Sequence, residues 1–296
     1  LSEVASSRAR LAVCAAAALF STGGAAIKYA SFTGWQVASF RSGVAALAVL
    51  LFLPEARRGW TRATGIVAVG YATTLTLFVL SNKLTTSANA IYLQSTAPLY
   101  LVLLAPWLLH ERPHRRDVVF MIALACGLGL FFLGEEPARA TAPEPLRGNL
   151  LAIASGVAWA FTVTGLRWMG KAEGDRPGAA AGAVAAGNLL AFVVGLPFAL
   201  PVAAVGIGDV LAIVYLGVFQ IGLAYVCLTR GLRHVPALEA SLLLTIEPVL
   251  NPLWAWIVHG EMPSSFAIAG GALILAATVA HSVAASRGIP RRDPGA

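Results

Sequence analysis

Apolar residues run along this chain in stretches of roughly 18 to 24 positions, broken by short clusters of charge, proline and glycine. At about 1.5 Å per residue, a helix of that length crosses the ~30 Å of bilayer hydrocarbon. Ten spans are predicted, at about 11–30, 34–53, 62–82, 86–109, 116–133, 148–168, 179–201, 208–229, 236–258 and 264–284. Their punctuation is Pro54 with Arg57, Arg58 and Gly59, then Glu111, Arg112 and Pro113, then the proline-rich acidic stretch 134–147, then 170–178. The narrowest separation falls between the first two spans, where only Ser31, Phe32 and Thr33 intervene. A β-barrel would show alternating segments of about ten residues, and none are present. The first apolar run, Leu11 to Ala30, is longer than a signal-peptide core and is expected to be a retained helix.

Composition sharpens this reading. The 296 residues are 58% hydrophobic and 12% charged, with mean hydropathy +0.76, against about 25% charged in a soluble domain. The 29 glycines and many alanines lie largely inside the apolar runs, as expected of helices that pack in lipid through small residues. The net charge of +7 is spread over several short segments rather than one patch, which argues against a nucleic-acid partner. Cys14, Cys126 and Cys227 sit singly in apolar runs, so no disulfide, metal or cofactor is expected.

Lys and Arg translocate poorly, so their distribution predicts orientation. Sixteen of the 21, including Arg8, Arg57, Arg112, Arg167, Arg230 and Arg287, fall on one side; Lys28, Lys83, Arg139 and Arg147 fall on the other, and Arg41 lies within a span. Both termini are therefore expected in the cytoplasm.

The chain also repeats itself. A shift of 150 residues places Ala97-Pro98 on Glu247-Pro248, Glu111 on Glu261, Pro113 on Pro263, Ala90 on Ala240 and Lys83 on Arg233. Lys28-Tyr29 matches Arg167-Trp168 at another offset. Two halves of five spans follow, and the odd number inverts the second. The expected division is a first five-helix repeat at 1–133, an outer linker at 134–147, a second repeat at 148–284 and a cytoplasmic tail at 285–296.

Glu247-Pro248 followed by Gly260-Glu261, the matching Ala97-Pro98 and His110-Glu111, and the run Leu84-Thr85-Thr86-Ser87-Ala88 resemble the EamA-type family of the drug/metabolite transporter superfamily. The resemblance covers nearly the whole chain. It implies an all-α integral membrane protein of ten helices around a central cavity, and it is nearest to bacterial exporters of aromatic and other neutral amino acids. The first half departs from symmetry by carrying Ala97 where the second has Glu247.

Glu247 is the intramembrane carboxylate, and an unpaired charge there costs about 2.5–3.5 kcal/mol on insertion scales. It is a candidate partner for a proton or a substrate ammonium, or else a buried carboxyl that fixes packing beside Pro248. Arg41 is expected to snorkel to the headgroups, with pairing to Glu247 or to a substrate carboxylate as alternatives. Lys28 and Lys83 are expected to be interfacial anchors, as are Trp107, Trp254 and Trp256. Tyr71, Thr74 and Phe78 share one face of the third span, Tyr92, Ser95 and Leu99 one of the fourth, and Trp159 and Thr162 one of the sixth. With Tyr225, Thr245 and Glu247 they form the candidate substrate-binding set, although such stripes also serve helix packing. Ser95 and Thr245 each precede a proline by three residues, so Pro98 and Pro248 are candidate hinges, with the hydroxyls capping freed carbonyls. Asn89, Gln94, Asn188, Gln220 and Asn251 are further polar candidates. Few basic residues lie within spans and no P-loop occurs, which argues against phosphorylated cargo and ATP drive. His110, Glu111 and His114 form the one cluster with enzyme-like chemistry, on a loop where solvation is the simpler explanation.

These readings lead to a secondary transporter, not an enzyme, of a bacterial inner membrane. It exports small neutral metabolites, foremost aromatic or hydrophobic amino acids, by alternating access. The partners expected are the small-molecule substrate, the lipid bilayer and protons as a candidate coupling ion. Efflux of drugs or cationic amphiphiles is the alternative.

Overall fold

The structure, a computed structural model, describes residues 3–58, 60–100, 103, 115–133, 138–173, 178–232, 234–235 and 237–287. Among these the only pairing of extended backbone is an isolated antiparallel bridge, Arg139 with Ala142. Everything else of regular form is helical: α1 (Glu3–Ser21), α2 (Gly23–Tyr29), α3 (Gly34–Phe52), α4 (Arg62–Leu84), α5 (Ser87–Gln94), α6 (Arg115–Leu130), α7 (Pro145–Glu173), α8 (Ala179–Ala199), α9 (Ile207–Val214), a π-helix (Tyr215–Leu223), α10 (Ala224–Leu232), α11 (Ala237–Leu244), α12 (Ile246–His259) and α13 (Ser265–Arg287), with a 3-10 turn at Pro54–Arg57.

Seven helical stretches among the described residues are long and apolar enough to cross a membrane, at Ser7–Tyr29, Gly34–Phe52, Arg62–Leu84, Pro145–Leu166, Ala179–Ala199, Ile207–Gly231 and Leu242–His259. Two shorter apolar helices, Asp117–Leu130 and Ser265–His281, fall where the fifth and tenth spans are predicted. The predicted fourth span is described continuously only as far as Tyr100. Exposed Leu47, Ile66, Val119, Val193, Leu211 and Ile257 coat the outside of the bundle with apolar side chains. Such a coat suits hydrocarbon and would be unfavourable in water.

Helix starts follow local chemistry. The Thr33 hydroxyl accepts from the Gln36 amide at 3.3 Å while Gln36 Oε1 accepts from the Thr33 amide at 3.0 Å, opening α3 after a three-residue turn. Thr61 and Thr64 do the same for α4, and Thr86 caps α5 through the Asn89 amide. That explains how Ser31, Phe32 and Thr33 suffice to end one span and begin the next.

Helices of the first half pack on helices of the second. α3 packs on α8, α4 on α7, α1 on α10, α5 on α12 and α6 on α13. In span numbers these contacts are two with seven, three with six, one with eight, four with nine and five with ten. Exchanging the halves leaves this pattern unchanged, because the three–six contact becomes eight–one. Pro98 and Pro248 do not kink continuous helices: the helix is interrupted at Ser95–Thr96 and again at Thr245. Each proline sits in the first turn of the segment that follows, where its missing N–H is not needed.

Candidate functional site

Two buried polar regions lie along the axis where the halves meet. The first closes the end of the bundle that carries residues 138–144 of the linker. Lys28, at the end of α2, donates to the carbonyl oxygens of Thr85 (2.8 Å) and Thr141, and its Nζ lies 3.5 Å from Glu261 Oε2. These two side chains are only 3% and 2% exposed. Glu261 Oε1 accepts from the Ser87 amide at 2.8 Å. The Thr85 hydroxyl donates to Asn149 Oδ1 at 2.7 Å, and Asn89 Nδ2 reaches the same oxygen at 3.1 Å. At the rim Lys83 donates to the Ala30 carbonyl at 2.6 Å, and Asp209 Oδ1 accepts from the Ser31 amide at 2.6 Å. The linker joins in through the Glu144 amide, which donates to the Leu84 carbonyl at 3.1 Å. The chain can approach this closely because Gly24 faces Asn251 and Ser87; a Cβ there would come within 2.7 Å of Asn251 Oδ1.

Burial lifts the Glu261 carboxyl above the usual carboxylate range, while Lys28 and the Ser87 N–H pull it back. Loss of hydration thus outweighs ionic attraction, as is common for buried pairs. Lys28 is not an interfacial anchor, whereas Lys83 stays half-exposed at the rim. The linker and the turn after α12 cover the end of α2, so the Lys28 ammonium turns inward to backbone carbonyls and Glu261.

The second region lies at mid-bundle, level with the interruptions at Ser95–Thr96 and Thr245. Tyr71 from α4 and Tyr225 from α10 meet edge to face, with ring centroids 6.1 Å apart at 70°. Phe20 of α1 packs on Tyr225 at 5.3 Å and 77°. Trp159 of α7 joins the same cluster, half-buried, with Leu50, Leu75 and Val184 around it. Gly187 of α8 lets Tyr71 lie against the helix backbone, since a Cβ there would sit 2.6 Å from the ring. Glu247 is half-buried within electrostatic reach of Tyr225 and forms no hydrogen bond or ion pair with a described residue.

Arg41 neither snorkels nor pairs with Glu247. It is 1% exposed, and its one hydrogen bond runs from Nη2 to the Leu75 carbonyl at 3.3 Å. It stands beside Tyr71. Its position near the middle of α3, packed on α4 and α8, leaves its stem no path to a headgroup.

Of the candidate substrate set, the fold brings Tyr71, Trp159, Tyr225 and Glu247 together. Phe78 lies in an apolar cluster with Ile27, Ile91 and Leu216. Thr74 and Thr162 are buried and bonded to the Gly70 and Ala158 carbonyls, each at 2.9 Å. Tyr92 turns to Phe131 at 6.1 Å. Ser95 and Thr245 donate to the carbonyls of Ile91 (2.7 Å) and Leu242 (2.6 Å), not to the Gln94 and Leu244 carbonyls that Pro98 and Pro248 leave without an i+4 donor. Trp254 is tied to the Ser21 hydroxyl at 2.9 Å, while Trp256 is exposed. Trp107, His110, Glu111 and His114 lie outside the described residues. Sequence reasoning missed Phe20, Thr85, Ser87, Thr141 and Asn149, and used Glu261 only as a repeat marker. The one available signal was a lysine and a glutamate at span ends inside otherwise apolar text.

Two cavities lie away from the mid-bundle polar region. One of about 360 Å³ is lined by Thr22, Ala26, Tyr29, Leu211, Tyr215 and Trp254, and one of about 430 Å³ by Trp35, Leu80, Leu84, Arg147, Leu150 and Leu151. Neither touches Glu247 or the tyrosine pair.

An all-helical, multi-pass membrane bundle with buried polar groups at the meeting of two halves has the build of a carrier. The model of the EamA-like transporter family matches residues 7–133 and again 146–282, and the chain belongs to that family. A solved structure titled only as a crystal structure of a protein is similar at a TM-score of 0.63 and 22% identity, over 95% of this chain and 98% of the other, which shows a shared fold. No curated protein matches the chain.

Proposed function

We propose that this chain is a secondary exporter of small neutral metabolites, foremost aromatic and hydrophobic amino acids, working by alternating access in a bacterial inner membrane with both termini in the cytoplasm. The two matched stretches are then inverted five-helix repeats joined by the outer linker. The observation that carries the reading is the cluster of Tyr71, Trp159 and Tyr225 beside the unpaired Glu247, set where a helix from each half is interrupted. Aromatic edges and faces suit an apolar side chain, and a carboxylate without a partner suits an ammonium or a proton. The buried network around Lys28 and Glu261 supports a closed outer gate, and the interrupted helices supply bending points.

Efflux of cationic amphiphiles is a second reading, favoured by the separation of Glu247 from Arg41, which leaves the carboxylate without a resident counter-ion. Flux of labelled tryptophan, phenylalanine, threonine and a cationic dye into proteoliposomes, with and without a pH gradient, decides between them. Saturable amino-acid flux is the expected result, and dye flux without it overturns the first reading.

A further inference from the structure

Arg41 is a guanidinium in the middle of a transmembrane helix, 1% exposed, with one hydrogen bond at 3.3 Å and a buried Nε that has no partner. Among the described residues no carboxylate lies within 4.0 Å of it. An arginine does not shed its proton at physiological pH, so the charge cannot be removed as that of a buried lysine can. An uncompensated ion in hydrocarbon is among the costliest states a side chain can occupy. The Tyr71 hydroxyl stands beside it and reaches Tyr225 and Asn188, while the guanidinium Nε stays a buried donor with no acceptor. Native interiors leave few such atoms unsatisfied. Here one belongs to a cation, packed between helices of both halves.

We infer that Arg41 and Tyr71 form a binding site for a single monovalent anion, held by the guanidinium fork and the phenol O–H, with Asn188 completing its wall. Chloride and the carboxylate of a transported amino acid share this chemistry. The carboxylate arm rests on the amino-acid reading proposed above, whereas the chloride arm does not. The site also joins the halves, since Arg41 and Tyr71 belong to the first and Asn188 to the second.

The test is thermal unfolding of the purified full-length protein in detergent, at constant ionic strength, in sodium chloride against sodium gluconate. Parallel samples in gluconate receive phenylalanine or phenylalaninamide. A ligand of the folded state raises the melting temperature as its concentration passes its dissociation constant. The expected result is a rise of several degrees with chloride, or with phenylalanine but not its amide, that shrinks in Tyr71→Phe and vanishes in Arg41→Gln. A chloride response assigns the site to an inorganic ion, and a phenylalanine response assigns it to substrate. Wild-type protein that melts alike in all four conditions overturns the inference even if Arg41→Gln does not fold, as does an equal rise in Arg41→Gln. Amino-acid flux that fails while chloride still stabilises removes the transport reading and leaves the anion site standing.

Discussion

Lys28 and Arg41 are both cations with side chains buried among the helices, and the fold treats them differently. Lys28 has a carboxylate at 3.5 Å and two backbone carbonyls drawn from distant segments. Arg41 has one long hydrogen bond and a tyrosine. A cation wrapped by its own protein does structural work: Lys28 ties α2, α5, the linker and the turn after α12 into one seal. A cation left with open valence near the axis is where something from outside is received.

The largest effect is expected at the seal. Lys28→Met leaves Glu261 buried and unpaired and should destabilise the protein by about 3–5 kcal/mol, whereas the double change with Glu261→Leu should recover most of that, because a buried ion pair is often replaceable by apolar groups but not by half of itself. Chemical denaturation of the two variants checks this, and equal losses would mean that the pair is not what holds the linker end. Next comes Gly187→Ala, whose methyl presses on the Tyr71 ring and should cost about 1–3 kcal/mol together with most of the aromatic-substrate flux. Flux unchanged in folded Gly187→Ala would detach the tyrosine pair from transport.

Thr85→Val and Tyr71→Phe sharpen the contrast at the level of single hydroxyls. Losing Thr85 strips a partner from buried Asn149 and should cost about 1–3 kcal/mol, while the Tyr71 hydroxyl, which reaches only Tyr225 and Asn188, should cost about 0.5–1.5 kcal/mol. Melting curves in a buffer of bulky anions measure both, and a larger loss in Tyr71→Phe than in Thr85→Val would show that the phenol holds the fold rather than a ligand.

The smallest effect is one of pH. Burial raises the Glu261 carboxyl above its unfolded value. A raised acid favours the folded state at low pH and loses that contribution as pH climbs through the raised value. Wild-type stability should therefore fall relative to Glu261→Gln as pH rises through that window. A difference independent of pH would show that the carboxyl is fully charged in the folded protein.

What the amino-acid text revealed depended on distance along the chain. Helix placement follows from local hydrophobicity, and the prolines at 98 and 248 announced the interruptions near them, since backbone chemistry acts within a turn. The aromatic cluster was half legible: Tyr71 and Trp159 stood out on helix faces, but their partner Phe20 looked like any apolar residue of the first run. The seal was illegible because its bonds join residues as far apart as Lys28 and Thr141, and hydropathy cannot distinguish a lysine that anchors at a headgroup from one that folds inward. Arg41 was misread for the same reason: whether a stem reaches water depends on the neighbouring helices.

The reach of Lys28 also sets an order of events during synthesis. Thr141 emerges 113 residues after it, on the order of ten seconds later at ordinary ribosomal speeds, and Glu261 follows near the far end of the chain. Until then the first hairpin must hold its ammonium at the membrane surface. The last segments made are thus the ones that complete the burial of the earliest helix, and a chain that stops before them leaves Lys28 without its partners.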